Sequence, residues 1–164
     1  MKNNIKLIML IIIFATFALH LSASKLPSFT VETLNAGTLR SEALLEKGPL
    51  FIEFWNVSCQ PCLRFLPHVS RFAEEFPGIT FLAISTDSPR NRSRVQQIIR
   101  SNNYQFITGL DPSGDLARTF KVSSVPRTII ADKDGNIVYD GTGYSSGDES
   151  KYEEILNKLV GKTR

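Results

Sequence analysis

A chain of 164 residues, 42% of them hydrophobic, is long enough for one domain with a sizeable core and short for two. Its formal charge falls from +3 to +1 when Lys2 and Lys6, two of 19 basic residues against 16 acidic, leave with a leader; that balance gives no electrostatic case for nucleic acid. Only two cysteines are present, both in one four-residue motif, which excludes a secreted disulfide scaffold.

In chain order, Lys2 and Lys6 flank the start of an apolar run from Leu7 to Leu19, and Ser22-Ala23-Ser24 sets small residues before Lys25. Basic start, apolar middle and small-residue end are the order of an export signal, with residues 1–24 removed after Ser24. The run falls short of the roughly 20 apolar residues a membrane-spanning helix needs, but an uncleaved anchor extending to Leu21 remains the alternative. Residues 25–164 are then the folded domain.

Phe29 to Thr33 alternates, and Thr38-Leu39 answers it across Asn35-Ala36-Gly37, predicting a half-exposed hairpin. Ser41 is placed to cap a short helix through Glu46, stopped by Gly48-Pro49. Leu50 to Trp55 is apolar except for Glu53 and reads as a central strand covered on both faces. From Cys59 to Phe76, Leu63, Leu66, Val69, Phe72, Ala73 and Phe76 recur at helical spacing, with Pro67 inside the helix as a kink.

Ile79 to Ser85 is a second buried strand. Ser88-Pro89 opens a helix to about Ser101, with serine as cap and proline in the first turn. Phe106-Ile107 begins a short edge strand, Asp111 to Gly114 is a turn, and Leu116 to Phe120 a short helix. Arg127 to Ala131 and Asn136 to Tyr139 form a hairpin around Asp132-Lys133-Asp134-Gly135. A final amphipathic helix runs from Glu149 to Val160. Crossover helices make the first central strands parallel and the hairpin adds antiparallel ones, giving an α/β fold with a mixed sheet covered by helices on both faces.

The chemistry concentrates at Cys59-Gln60-Pro61-Cys62. Two cysteines at i and i+3 on a strand-to-helix junction can close a small disulfide ring. Cys59, at the helix start, faces free amides and the positive end of the helix dipole, which favour a thiolate. The thiolate attacks a substrate disulfide, and Cys62, one turn inward, resolves the mixed disulfide. Pro61 costs little in a first turn that has no partner for its missing proton.

Two other readings stand beside this one. Half a zinc site is short of ligands, since structural zinc usually takes four and His68 is the one histidine left after the leader. A purely structural disulfide would constrain little of the unfolded chain, because its loop is so small. Glu53 interrupts a buried strand, where a carboxylate must be protonated or hydrogen-bonded and burial raises its pKa; the alternative is a wet sheet edge or a surface lysine partner. Arg90, Arg92, Arg94 and Arg100 make one helical region basic, which reads as a solvated face, with docking of an acidic partner or membrane head groups as the other possibility.

Phe54 to Cys62 resembles the active-site segment of thioredoxin-fold proteins, and Pro67 matches that family's helix-kinking proline. Val122 to Ile130 resembles its cis-proline loop and following strand. The spacing from Leu26-Pro27-Ser28-Phe29 through Asp111-Pro112-Ser113-Gly114 to Asp132-Lys133-Asp134-Gly135 is similar to the exported TlpA/ResA-like branch, and the resemblance covers roughly Leu26 to Val160.

The resemblance implies a thioredoxin fold with an N-terminal β-hairpin extension and a thiol–disulfide oxidoreductase, of the protein-disulfide reductase type, acting in the bacterial periplasm. Some members of the branch serve cytochrome c maturation. It implies a cis bond at Pro126, pairing of the Val125 backbone with a substrate strand, and proton exchange between Glu53 and Cys62. Trp55 would shield the disulfide or simply fill the core. Ser58 stands where many relatives have tryptophan, and Arg127 where threonine is usual; Arg127 would steer an acidic substrate, assist thiolate formation, or be solvated. The expected partners are cysteine-containing client proteins and a membrane or periplasmic thiol donor. No cofactor or metal beyond the Cys59–Cys62 disulfide is implied, and a lone domain of this kind is expected to be monomeric. The rivals are a thiol peroxidase-like enzyme, which shares the fold, and a CxxC metal-binding module.

Overall fold

A computed structural model describes residues 24–161; the leader or anchor expected at the N-terminus lies almost wholly outside them. Seven strands form one sheet: β1 (Thr30–Thr33), β2 (Thr38–Arg40), β3 (Leu50–Trp55), β4 (Thr80–Ser85), β5 (Ile107–Leu110), β6 (Arg127–Ala131) and β7 (Ile137–Thr142). The helices are α1 (Ser41–Leu45), α2 (Gln60–Glu75), α3 (Arg92–Ser101), α4 (Asp115–Thr119) and α5 (Glu149–Leu159). Spatial order is β2-β1-β5-β4-β3-β6-β7. β3, β4 and β5 run parallel, while the β1–β2 and β6–β7 hairpins add antiparallel strands at the two sides.

Side chains alternate across a strand, so β3 serves two cores. Phe51 and Trp55 face one, with Cys62, Phe65, Leu66, Val69 and Phe72 of α2, Val95 and Ile99 of α3, and Tyr152 and Leu156 of α5. Leu50, Ile52 and Phe54 face the other, with Phe29, Val31, Leu44, Leu116, Phe120 and Ile129. Every residue of β3 is buried, and a buried side chain of this size contributes about 1.5–3 kcal/mol. The apolar run of the sequence is thus a strand with no wet side.

Three local expectations are corrected. β5 is an interior strand, because the β1–β2 hairpin pairs along its outer side. Its Gly109 is needed there: a Cβ would come within 2.7 Å of Val31 Cγ2 and 3.1 Å of Ile84 Cγ1. Ser41 is the first residue of α1 and not its cap; its hydroxyl accepts from the Phe29 amide at 3.1 Å, bracing the helix against the hairpin. Ser88 makes no side-chain cap bond, and Pro89–Asn91 is a single 3-10 turn before α3 begins at Arg92. The four arginines are exposed, as a solvated face requires, and Arg92 pairs with Glu32 at 2.8 Å.

Candidate active site

β3 ends at Trp55, and the chain turns at once into α2. Asn56 Oδ1 accepts from the Ser58 amide at 3.1 Å and the Ser58 hydroxyl at 2.9 Å, closing a side-chain turn. Thr86 donates its amide to the Trp55 carbonyl at 2.9 Å, and the Val57 amide donates to Asp87 Oδ2 at 2.9 Å, so the loop is clamped to the segment after β4. Cys59 then stands at the N-cap with φ −81° and ψ 98°. Gln60 is exposed and Pro61 occupies the first turn.

Cys59 and Cys62 form a disulfide with sulfurs 2.01 Å apart. The Cys62 amide donates to Cys59 Sγ at 3.2 Å, so the cap position is filled by a sulfur at the head of a 16-residue helix. Those free amides and the helix dipole favour negative charge at that point. Cys59 is half-buried and Cys62 fully buried, which opens one sulfur to an incoming thiol or disulfide and keeps the other inside.

Glu53 is fully buried on the Cys62 side of the sheet, and both alternatives, a wet edge or a lysine partner, are overturned. Its register partner across β3–β6 is Thr128, whose hydroxyl donates to Oε2 at 2.6 Å. Oε1 is buried with no hydrogen-bond partner. Burial pushes the Glu53 carboxyl up from 4.5 to about 8, and the Thr128 hydrogen bond only partly opposes it. Tyr152 lies 3.4 Å from the Thr128 hydroxyl and is itself raised, first by burial.

The Val125–Pro126 bond is cis. Val125 is half-buried and packs against both cores, while the Pro126 carbonyl accepts from the Gly143 amide at 2.8 Å. Trp55 is fully buried in the same cluster as Cys62, so it backs the disulfide from within and presents no surface to a client. Arg127 is held on β7: one terminal nitrogen pairs with Asp140 at 2.6 Å and the other donates to Thr142 at 2.8 Å. His68 lies 3.2 Å from Glu149, and among the described residues no group of three metal-ligating side chains occurs. A cleft of about 240 Å³ opens at the carboxyl ends of β4 and β5, lined among others by Asp87, Arg92 and Pro112.

Asp87, Thr128 and Tyr152 were not foreseen as site residues. Thr128 left one sign in the sequence: like Glu53, it is a polar residue next to a buried apolar run, here Ile129 to Ala131, and two such residues on paired strands invite each other.

The AhpC/TSA family model matches residues 23–140. A thiol-disulfide oxidoreductase, ResA, of Bacillus thuringiensis subsp. konkukian is 23% identical over 134 residues, 82% of this chain and 76% of that protein. The ResA of Halalkalibacterium halodurans is 26% identical over 148 residues, 89% of this chain and 81% of its own. The solution structure of a thioredoxin-like protein from Porphyromonas gingivalis, 29% identical, superposes with a TM-score of 0.70 over 85% of this chain and 94% of its own. The family match and the superposition agree with the sheet, the cysteine pair and the cis-proline loop described above, and the chain belongs to the AhpC/TSA family, with a thioredoxin-like fold.

Proposed function

We propose that this protein is an exported thiol–disulfide oxidoreductase that reduces disulfides of client proteins. The observation that carries the reading is the Cys59–Cys62 disulfide at the head of α2, with Cys59 half-open and Cys62 buried. The name carried by the ResA relatives, thiol-disulfide oxidoreductase, supports it. Export is supported by the leader pattern and by the description of one related structure as a secreted mycobacterial oxidoreductase. Among the described residues no helix is long and apolar enough to cross a membrane.

In the cycle, Cys59 thiolate attacks one sulfur of a client disulfide, and the other client sulfur leaves as a thiolate. Cys62 thiolate then attacks Cys59 Sγ, releasing the second client thiolate and forming the disulfide seen here. Two electrons have passed to the client. A donor dithiol returns them: one of its thiolates attacks Cys59 Sγ and expels Cys62 as a thiolate. Its second thiolate then attacks the donor sulfur bound to Cys59, closing the donor disulfide and freeing Cys59 as a thiolate. Glu53, protonated at neutral pH, gives the Cys62 thiolate its proton. The proton resides on Oε1, the oxygen Thr128 does not reach. The Val125 backbone pairs with the client strand beside Cys59, and Pro126 and Arg127 border it. No cofactor takes part.

The reduction potential of the Cys59–Cys62 pair, set against dithiothreitol or glutathione buffers and followed by Trp55 fluorescence, tests the direction. A value near the thioredoxin end, about −270 mV, fits a reductase; one near about −120 mV reverses the assignment to disulfide donation. Peroxide consumption by the isolated domain would move the reading to a thiol peroxidase.

A further inference from the structure

The two oxygens of Glu53 are not equivalent. Oε2 accepts from the Thr128 hydroxyl at 2.6 Å, while Oε1 is buried with no hydrogen-bond partner. A threonine hydroxyl has one proton to give, and with it on Oε2 the proton of the neutral acid belongs to Oε1. Thr128 is buried, and its β-branched side chain is stiff about χ1, so the strand itself aims the hydroxyl. The aim is across the sheet, because Thr128 of β6 is the register partner of Glu53 in β3.

Tyr152 stands on the other side of that hydroxyl, its oxygen 3.4 Å from Thr128 Oγ1. With the Thr128 proton committed to Glu53, this long contact is donated by Tyr152. In that orientation the phenol offers Thr128 no competing acceptor. Tyr152 is fixed in turn by Phe51 and Phe65, whose ring centroids lie 6.0 and 5.0 Å from its own. The other ionisable side chains on this face are Cys62 of α2 and Tyr139 of β7, with Lys151 of α5 against Tyr139 at the surface. β4 sets Ala83 against Glu53. Among the described residues no basic side chain pairs with the carboxyl.

Burial disfavours the carboxylate left when Glu53 gives up its proton, and the Thr128 hydrogen bond opposes that penalty. A hydrogen bond to an ionised acceptor is roughly twice as strong as one between neutral groups. The bond is therefore stronger after the proton has left than before, which favours its departure.

We propose that Thr128 is a positioning residue of the thiol–disulfide reaction: its hydroxyl, backed by Tyr152, keeps the Glu53 proton on Oε1 and holds the carboxylate that forms. This rests on the reading of Glu53 as the acid for Cys62. In that step the Glu53 O–H bond breaks and a Cys62 S–H bond forms. One proton moves and no electron does; thiolate and acid become thiol and carboxylate. Thr128 exchanges no proton with either sulfur and acts through Glu53.

The test follows the infrared band of the protonated Glu53 carboxyl through a pH titration of the oxidised protein, the band being assigned by its loss in Glu53→Gln. Thr128→Val keeps the side-chain shape without the hydroxyl. It should move the midpoint up by about one pH unit, a roughly tenfold change in proton affinity. It should also slow reduction of the disulfide by dithiothreitol at neutral pH roughly threefold or more, as Brønsted behaviour gives for an acid weakened tenfold. Thr128→Ala, which cannot overfill the site, reads the same two quantities independently. Thr128→Ser restores the hydroxyl and should return both close to the parent values, while Tyr152→Phe should move the midpoint the same way by less. A residue that only packs would change stability and leave the midpoint in place. A midpoint or a reduction rate unmoved in Thr128→Val or Thr128→Ala overturns the proposal. The underlying reading fails separately: if Glu53→Gln is reduced at the parent rate, Glu53 is not the acid for Cys62, whatever the titrations show.

Discussion

The Val57 amide, two residues before the first cysteine, donates to Asp87 Oδ2 at 2.9 Å, which ties the active-site loop to the segment beyond β4. The same carboxylate accepts from the Ser85 hydroxyl at 2.9 Å and from Asn91 Nδ2 at 2.9 Å. One side chain thus fixes where α2 starts and where the turn before α3 begins. The position of the Cys59 sulfur depends on it.

Asp87→Ala should cost about 2 kcal/mol, the range for a hydrogen bond to a charged acceptor whose loss leaves a donor without a partner. Urea unfolding measures the loss. Amide hydrogen exchange at Val57 should quicken in step; unchanged protection there would show that the clamp does not hold the loop.

Glu53 makes stability depend on pH with a definite sign. The unfolded chain releases this proton near 4.5 and the folded chain near 8, so the native state binds more protons between them. Stability therefore falls as pH rises through that window, by up to about 1.4 kcal/mol per pH unit, and levels off above it. Glu53→Gln should remove this slope. Unfolding of both proteins at a series of pH values gives the difference directly, and parallel curves would contradict the assignment.

The two cysteines should fail in different ways. Cys62→Ser leaves an attacking thiol without its resolving partner, so mixed disulfides with clients accumulate on non-reducing gels. Their release should slow roughly 100-fold or more, because an intramolecular thiol acts at high effective concentration. Cys59→Ser should trap nothing. Equal trapping by both variants would reverse the roles given to the pair.

Gly109→Ala should cost about 1–3 kcal/mol by overpacking, since the new methyl meets the stiff, fully buried side chain of Val31. Thermal unfolding measures it. An unchanged midpoint would mean that the β1–β2 hairpin yields without penalty.

Much of this molecule was legible in its sequence, because the signals were local. The unbroken apolar run of β3, the helical spacing of α2 and the glycine-centred turn between β6 and β7 each follow from the period of their own backbone. The cysteine pair is legible for the same reason: four residues bring both sulfurs onto one turn of helix. Ser41 and Ser88 show the limit, being residues of the right type for caps that make no cap bond. Ser41 instead holds the Phe29 amide, twelve positions away.

What lies across strands was decided only by the tertiary structure. The sequence by itself determined that Glu53 sits in an apolar strand and so must be protonated or partnered. That the partner is Thr128, seventy-five residues on, required the β3–β6 register. Tyr152 comes to lie beside Thr128 because α5 packs on that face. The interior place of β5 was likewise hidden, since a strand's neighbours depend on which distant segment pairs with it. Backbone period is written within a few residues; strand register and facing contacts arise only when segments far apart in the chain bury their surfaces against one another.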